Sequence, residues 1–296
     1  MTTTDGPATA PYVIAEVGCN HAGDLSLAKR MISVAGQFCE VDAVKFQKRD
    51  PRALLTPEQY RAPHPNAMHA FGASYGEHRE FLEFDIAQHA ELREHAENAG
   101  VTYSTSVWDL PSARAVAELD PEFIKIPSAT NLNTGLLEFL CGDYRGTIHL
   151  SLGMTSRAEE DAIVELFRRA GRLGDLVLYA CTSGYPVPFE DVCLLEVERL
   201  RTTYGDELRG VGFSGHHLGI AADVAAFALG ARYVERHFTL DRTSKGTDHA
   251  ASLEPDGLRR LTRDLRNVAK ALSHKPADVL PIEQVQRRKL KWQPCR

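Results

Sequence analysis

The sequence predicts a single-domain (β/α)8 barrel of the TIM type. Three observations carry that expectation. Short apolar runs recur eight times, most of them are followed by a helix-like stretch, and 296 residues is close to the length of one such barrel. In order, the expected strands are Tyr12–Val17, Ala43–Gln47, Val101–Ser106, Phe123–Pro127, Thr147–Leu152, Leu176–Cys181, Gly210–Ser214 and Arg232–His237. The expected helices are Asp24–Phe38, Phe84–Ala99, Pro111–Leu119, Thr134–Leu140, Arg157–Ala170, Asp191–Tyr204, Ile220–Leu229 and Pro255–Leu272. Strands alternating with helices imply a parallel sheet, and eight such units imply closure. An open doubly wound sheet is the alternative. Against it, GCNHAG at 18–23, after the first strand, lacks the G-x-G-x-x-G spacing.

Residues 1–10 read as a loose tail, 11–275 as the barrel and 276–296 as an extension. The stretch 48–83 is long for a loop. It follows the second strand, so it belongs on the C-terminal face and is a candidate lid. Hydrophobic residues make up 43% and charged residues 25%, ordinary for a globular chain able to bury a large core. A net charge of −6 argues against nucleic acid as a bulk partner but leaves room for a small anion held by a few lysines. Six cysteines without a C-x-x-C pair argue against a zinc ribbon and read as reduced thiols in the cytoplasm. The N-terminus has no basic and apolar signal regions, and no run of 18 apolar residues predicts a membrane span.

Polar residues at the strand ends carry the chemistry. Residues two apart on a strand share a face. Lys45 and Gln47 therefore point together, as do Ser214 with His216 and Glu235 with His237. The last two strands are neighbours, and the first, which ends near Glu16, closes beside the eighth, so two imidazoles converge beside carboxylates at one mouth. That set suits a divalent metal such as Mn²⁺, Fe²⁺, Co²⁺ or Zn²⁺. The plainer reading of either histidine alone is a hydrogen-bonded wall residue. His217 points the other way and reads as structural. Lys45 and Lys125 stand in apolar runs, where an unpaired ammonium is costly. They read either as an anion site or as outward-pointing lysines that snorkel. Thr105, Ser128, Ser183 and Ser214 are hydroxyls at strand ends that can hold a phosphate. In KGTDHAASLEP, Asp248 and His249 are acid–base candidates, and Ser252 reads as the N-cap of the helix that follows. Cys19 and Cys181 lie near the mouth but read as apolar filler.

The segments IAEVGCNHAGD, VKFQ, FIKIPS, CTSGYPVP, GFSGHHLGI and ERHFTLDRTSKGTDHAASLEP resemble, in order and spacing, those of the sialic acid synthase (N-acetylneuraminate synthase) family over about residues 12–272. The resemblance implies condensation of phosphoenolpyruvate with an aldose, N-acetylmannosamine or a relative, giving a 2-keto-3-deoxy sugar acid and phosphate. It implies a divalent metal on His216 and His237, Mn²⁺ first, with Mg²⁺ or Co²⁺ as alternatives. It assigns phosphoenolpyruvate to Lys45, Thr105, Lys125, Ser128, Ser183 and Ser214. It places Glu16, Gln47, Tyr185 and Asp248 at the sugar or the reacting centre.

Three departures stand out. PSAT puts Thr130 where a sugar-contacting glutamate is expected, which alters the hydroxyls that can be paired. Gly215 replaces the aspartate of an S-D-H pattern, removing a partner for a metal ligand. The chain ends before the antifreeze-like domain that many members use to complete a swapped dimer, so the site is expected to be more open, to be closed by 48–83 or to need a separate partner; a homodimer is a further expectation. The alternatives are another metal-dependent barrel aldolase or isomerase, and a non-catalytic sugar-phosphate-binding homologue.

Overall fold

The structure, a computed structural model, describes residues 10–292. Eight parallel strands close into one barrel: β1 (Tyr12–Gly18), β2 (Ala43–Lys48), β3 (Thr102–Val107), β4 (Phe123–Ile126), β5 (Thr147–Ser151), β6 (Leu176–Cys181), β7 (Gly210–Gly215) and β8 (Tyr233–His237), with β8 pairing back to β1. Every expected strand is present within a residue or so of its expected bounds. The strands are buried on both faces, which is why they read as near-continuous apolar runs.

Short polar residues start the helices by accepting hydrogen bonds from free backbone N–H groups. Asp24 caps Leu25–Ser33, and Asp109 caps Leu110–Glu118. Asp85 with Gln88, and Ser156 with Glu159, form capping boxes on Ile86–Asn98 and Arg157–Arg169. One start and one cap differ from expectation. The sixth barrel helix begins at Leu195 rather than Asp191, because a 3₁₀ turn at Phe189–Asp191 comes first and Cys193 takes φ +53°. The last barrel helix, Pro255–Ala271, starts after Glu254, and Ser252 is not its cap. Instead, the Ser252 hydroxyl donates to the Asp248 carbonyl at 2.7 Å and accepts from Asn20 at 2.9 Å.

The stretch after β2 is helical rather than a loop: Pro51–Leu54, Pro57–Arg61, a 3₁₀ turn at Ala67–His69, and Tyr75–Leu82. It packs on the segment after β8. The Gly246 N–H donates to His69 Nδ1 at 3.2 Å, and the Lys245 ammonium sits 4.6 Å from the Phe71 ring centre. The extension contains a helix, Pro281–Leu290, which leaves Ile282 and Leu290 exposed. No helix among the described residues is long and apolar enough to cross a membrane.

Inside the barrel, Ile14, Phe123, Val177, Tyr179 and Tyr233 form a plug below the C-terminal mouth. His149 stacks on Phe123 at 4.1 Å between ring centres, and its Nδ1 lies 2.8 Å from the Tyr179 hydroxyl. Burial drives the His149 pKa well below the usual imidazole range, so the ring is neutral. This floor excludes water from whatever lies above it. Phe123→Ala is expected to cost about 3–5 kcal/mol of stability, read by urea denaturation, because the floor cannot collapse onto the lost ring.

Candidate active site

One cavity of about 400 Å³ opens at the C-terminal mouth. Its floor is ionic. Register sets it: Glu16 lies opposite Lys45 on one side and His237 on the other, Lys125 opposite Ser106, and Ser214 opposite Glu235. Lys45 pairs closely with Glu16, lies 3.8 Å from Glu235, and donates to the Ser106 hydroxyl at 2.8 Å. Lys125 donates to Glu235 at 3.0 Å, with its ammonium 3.3 Å from the centre of the Tyr179 ring. Ser214 donates to the other Glu235 oxygen at 3.1 Å, and Gln47 donates to Glu16 at 3.0 Å. All four charged groups are at most 6% exposed. The lysines therefore point inward, not out between the helices.

The two carboxyls are pushed apart. Burial raises the Glu16 pKa, with Lys45 opposing it only in part. Burial also acts on Glu235, but there Lys125 and Lys45 outweigh it and hold the carboxyl well below the usual range. Glu235 is thus the fixed anion and Glu16 the carboxyl that can carry a proton. Burial lowers the Lys125 pKa, and Glu235 offsets only part of that.

Beside this floor stand the two histidines, with ring centres 5.3 Å apart. His216 Nδ1 lies 2.9 Å from the Thr182 carbonyl, so Nδ1 carries the proton and Nε2 keeps its lone pair. Burial, then the neighbouring His237, brings the His216 pKa down to about 3, leaving a neutral ligand. His237 Nδ1 is buried with no hydrogen-bond partner, 3.8 Å from Asp248 Oδ2. A neutral imidazole with a free lone pair and an orphaned ring nitrogen beside a carboxylate fit a divalent cation. Among the described residues, no group of three or more His, Cys, Asp or Glu assembles into a fuller metal site.

Asp248 is held from two sides. Thr247 donates to its carboxylate at 2.9 Å, and the Asn20–Ser252 pair holds its backbone carbonyl. Tyr185 covers the histidines, its ring 4.4 Å from that of His216. Ser128 and Ser183 converge over Gly153, where an added Cβ would lie 2.4 Å from Ser183 Oγ and 2.7 Å from Ser128 Oγ. Glu16, Lys45, Gln47, Lys125, Ser128, Ser183, Tyr185, Ser214, His216, His237 and Asp248 therefore meet in one place, as expected.

Two expected residues do not line the cavity. Thr105 has the wrong parity: it lies one position before the inward Ser106, on the helix side of β3, and Ser106 occupies the expected place. Thr130 ends the 3₁₀ turn after β4 with its hydroxyl buried and unpartnered, and Ala129 lines the cavity instead. His249 also turns away, bonded to Thr239. Cys19 is no nucleophile, since burial pushes its thiol up to about 11 against the pull of Arg49.

Sequence reading missed Arg49 and Arg79, which line the mouth. Arg49 is paired with Glu83 and stacks on Trp108 at 4.7 Å. Arg79, on the inserted helix Tyr75–Leu82, bonds to the Tyr75 hydroxyl at 2.6 and 3.0 Å. Both are set by the insertion, whose path the strand pattern does not reveal.

Fold and site together define a (β/α)8 barrel with a polar, lysine-lined pocket beside two histidines at its C-terminal mouth. Residues 31–277 match the NeuB family. The chain is 38% identical over 280 residues to human N-acetylneuraminate-9-phosphate synthase, covering 94% of this chain and 76% of that protein. It is 35% identical over 261 residues to the N,N'-diacetyllegionaminic acid synthase of Campylobacter jejuni, covering 88% and 77%. The solved structure of N-acetylneuraminic acid synthetase from Leptospira borgpetersenii superposes with a TM-score of 0.80 at 28% identity, covering 99% of this chain and 98% of that one. The chain belongs to the NeuB family, and is an enzyme that forms carbon–carbon bonds.

Glu235→Gln is expected to destabilise the protein by about 3–5 kcal/mol in chemical denaturation, because it leaves the Lys125 ammonium buried without its anion.

Proposed function

We propose that this enzyme condenses phosphoenolpyruvate with an aldose of the N-acetylmannosamine type, giving a 2-keto-3-deoxy sugar acid and phosphate. The observation that carries this reading is the ionic floor. Two buried lysines and three hydroxyls, those of Ser128, Ser183 and Ser214, face one cavity beside two histidines. A metal-only aldolase or isomerase has no use for such a floor.

In the reaction, C3 of phosphoenolpyruvate attacks the aldehyde carbon, water adds at C2, and the resulting tetrahedral centre loses phosphate by C–O cleavage to leave a ketone. Lys45 and Lys125 hold the carboxylate and phosphate, and Glu235 keeps both ammoniums charged and fixed. Ser106 steadies Lys45, and takes the place at the phosphoenolpyruvate site that was expected of Thr105. His216 and His237 would hold a divalent metal, Mn²⁺ first. Bound there, such an ion would supply Lewis-acid activation of the aldehyde and of water. Glu16 is placed to give the proton that the aldehyde oxygen gains, since its pKa is raised. Gln47, Asp248 and Tyr185 orient the sugar. Arg79, which donates to the Tyr75 hydroxyl rather than to a carboxylate, supports an acceptor with an anionic group at its far end, such as a sugar phosphate. The insertion, packed on the Asp248 loop, acts as the lid.

Phosphate release from phosphoenolpyruvate, measured with N-acetylmannosamine, mannose, arabinose and their terminal phosphates, is expected to depend on both the aldose and Mn²⁺, and to stop with chelator. Release that ignores the aldose, or no release across the panel, would refute the reading. Gly153→Ala is expected to leave stability nearly unchanged and to lower kcat/KM for phosphoenolpyruvate roughly 10–100-fold, because the added methyl displaces Ser128 and Ser183.

A further inference from the structure

On the helix side of β7 and β8, behind the histidine pair, lies a second buried charge cluster that the reaction does not use. Arg236 stands between Glu235 and His237 on β8 but points away from the barrel axis, and it is 1% exposed. Its guanidinium donates to the His217 carbonyl at 2.6 Å and the Gly219 carbonyl at 2.7 Å. It also donates to Asp223 at 2.5 Å. Asp223 is fully buried in the first turn of the helix Ala221–Ala228, where the free N–H groups favour an anion. Its carboxylate lies 3.3 Å from His217 Nε2 as well.

The consequence is geometric. One guanidinium, attached to the residue before His237, grips the chain just after His216. It ties the two strand ends that carry the imidazoles. A buried guanidinium holds that position only with a counter-charge, and Asp223 provides it. Gly215 makes room. A Cβ there would lie 2.8 Å from Phe213 Cε1, 2.9 Å from His217 Cε1 and 3.0 Å from Asp223 Oδ1, so the space a side chain at 215 would enter is already filled by two rings and this carboxylate.

We propose that Asp223 and Arg236 are positioning residues for the His216/His237 pair, and that Asp223 supplies from the helix the carboxylate that an aspartate at position 215 would supply from the strand. This rests on the reading of the two histidines as metal ligands. The loss of the aspartate at 215 is thereby compensated rather than disabling.

The test is Mn²⁺ binding to metal-free protein, followed by loss of the free-ion EPR signal. Asp223→Asn is expected to bind Mn²⁺ roughly 10–100-fold more weakly than wild type, the usual effect of removing a residue that orients a ligand. At saturating Mn²⁺ its KM for phosphoenolpyruvate should stay within about twofold, since the lysine floor is untouched. A lone buried guanidinium can itself unfold the chain, so the double variant Asp223→Leu/Arg236→Met removes both charges, a change that packed interiors tolerate. It is expected to remain folded by circular dichroism and still to bind Mn²⁺ at least about tenfold more weakly, because the two carbonyl tethers are gone. Folded variants that bind Mn²⁺ as tightly as wild type would overturn the positioning role. So would failure of both variants to fold, which would make the pair a determinant of the fold alone. Wild type that takes up no Mn²⁺ would overturn the metal reading itself, whatever the variants do.

Discussion

The site depends on one constraint: two lysines and two carboxylates must be held charged, or nearly so, inside a dry barrel. Taking four ionisable groups out of water is expensive unless each meets a partner at close range. The barrel achieves this by parity and register. Lys45, Lys125, Glu16 and Glu235 come from four different strands, yet all face inward at one level. Below them the plug of Phe123, Tyr179, Tyr233 and His149 excludes water, which strengthens every interaction above it. The arrangement is not symmetric. Glu235 touches both lysines and is held as an anion, whereas Glu16 is left with the raised pKa. A floor with that imbalance is ready for an added anion.

Above the floor, rigidity comes from tethers between loops rather than from strands. Asn20, after β1, reaches both the Phe238 carbonyl and Ser252, and Ser252 reaches the Asp248 carbonyl. Arg236 does the same for the segment after β7. Asp248 and the segment that follows His216 are therefore held by hydrogen bonds from neighbouring elements. The inserted helices contribute differently. They bring Arg79 to the rim and pack against residues 245–246, so the mouth has one side built from a segment that is not part of the barrel repeat.

Much of this was legible in the sequence. Strands buried on both faces announce themselves as apolar runs, and the alternation rule correctly paired Lys45 with Gln47, Ser214 with His216, and Glu235 with His237. At β3 Thr105 was chosen only as a hydroxyl at a strand end; STS offers a hydroxyl at three successive positions, and only the register with β2 shows that Ser106, not Thr105, faces in. Ser252 misled because a hydroxyl before a proline-initiated helix looks like a cap, while its true partners lie 4 and 232 residues away. Arg49 and Arg79 carried no signal, since nothing in a run of short helices says which side chain turns toward the mouth. Asp223 was equally silent. The missing aspartate at 215 was visible, but the carboxylate that fills its place comes from the next helix and is revealed only by packing.

The central claim is that the buried lysine floor is the phosphoenolpyruvate site. Calorimetric titration of phosphoenolpyruvate into the metal-free protein, wild type against Lys125→Met, tests it most directly, since neither aldose nor metal is needed. Glu235 keeps Lys45 as a partner in the variant, so the fold is expected to survive. The account predicts binding to wild type and affinity roughly 10–100-fold weaker in Lys125→Met. Equal affinity in the two proteins would contradict it.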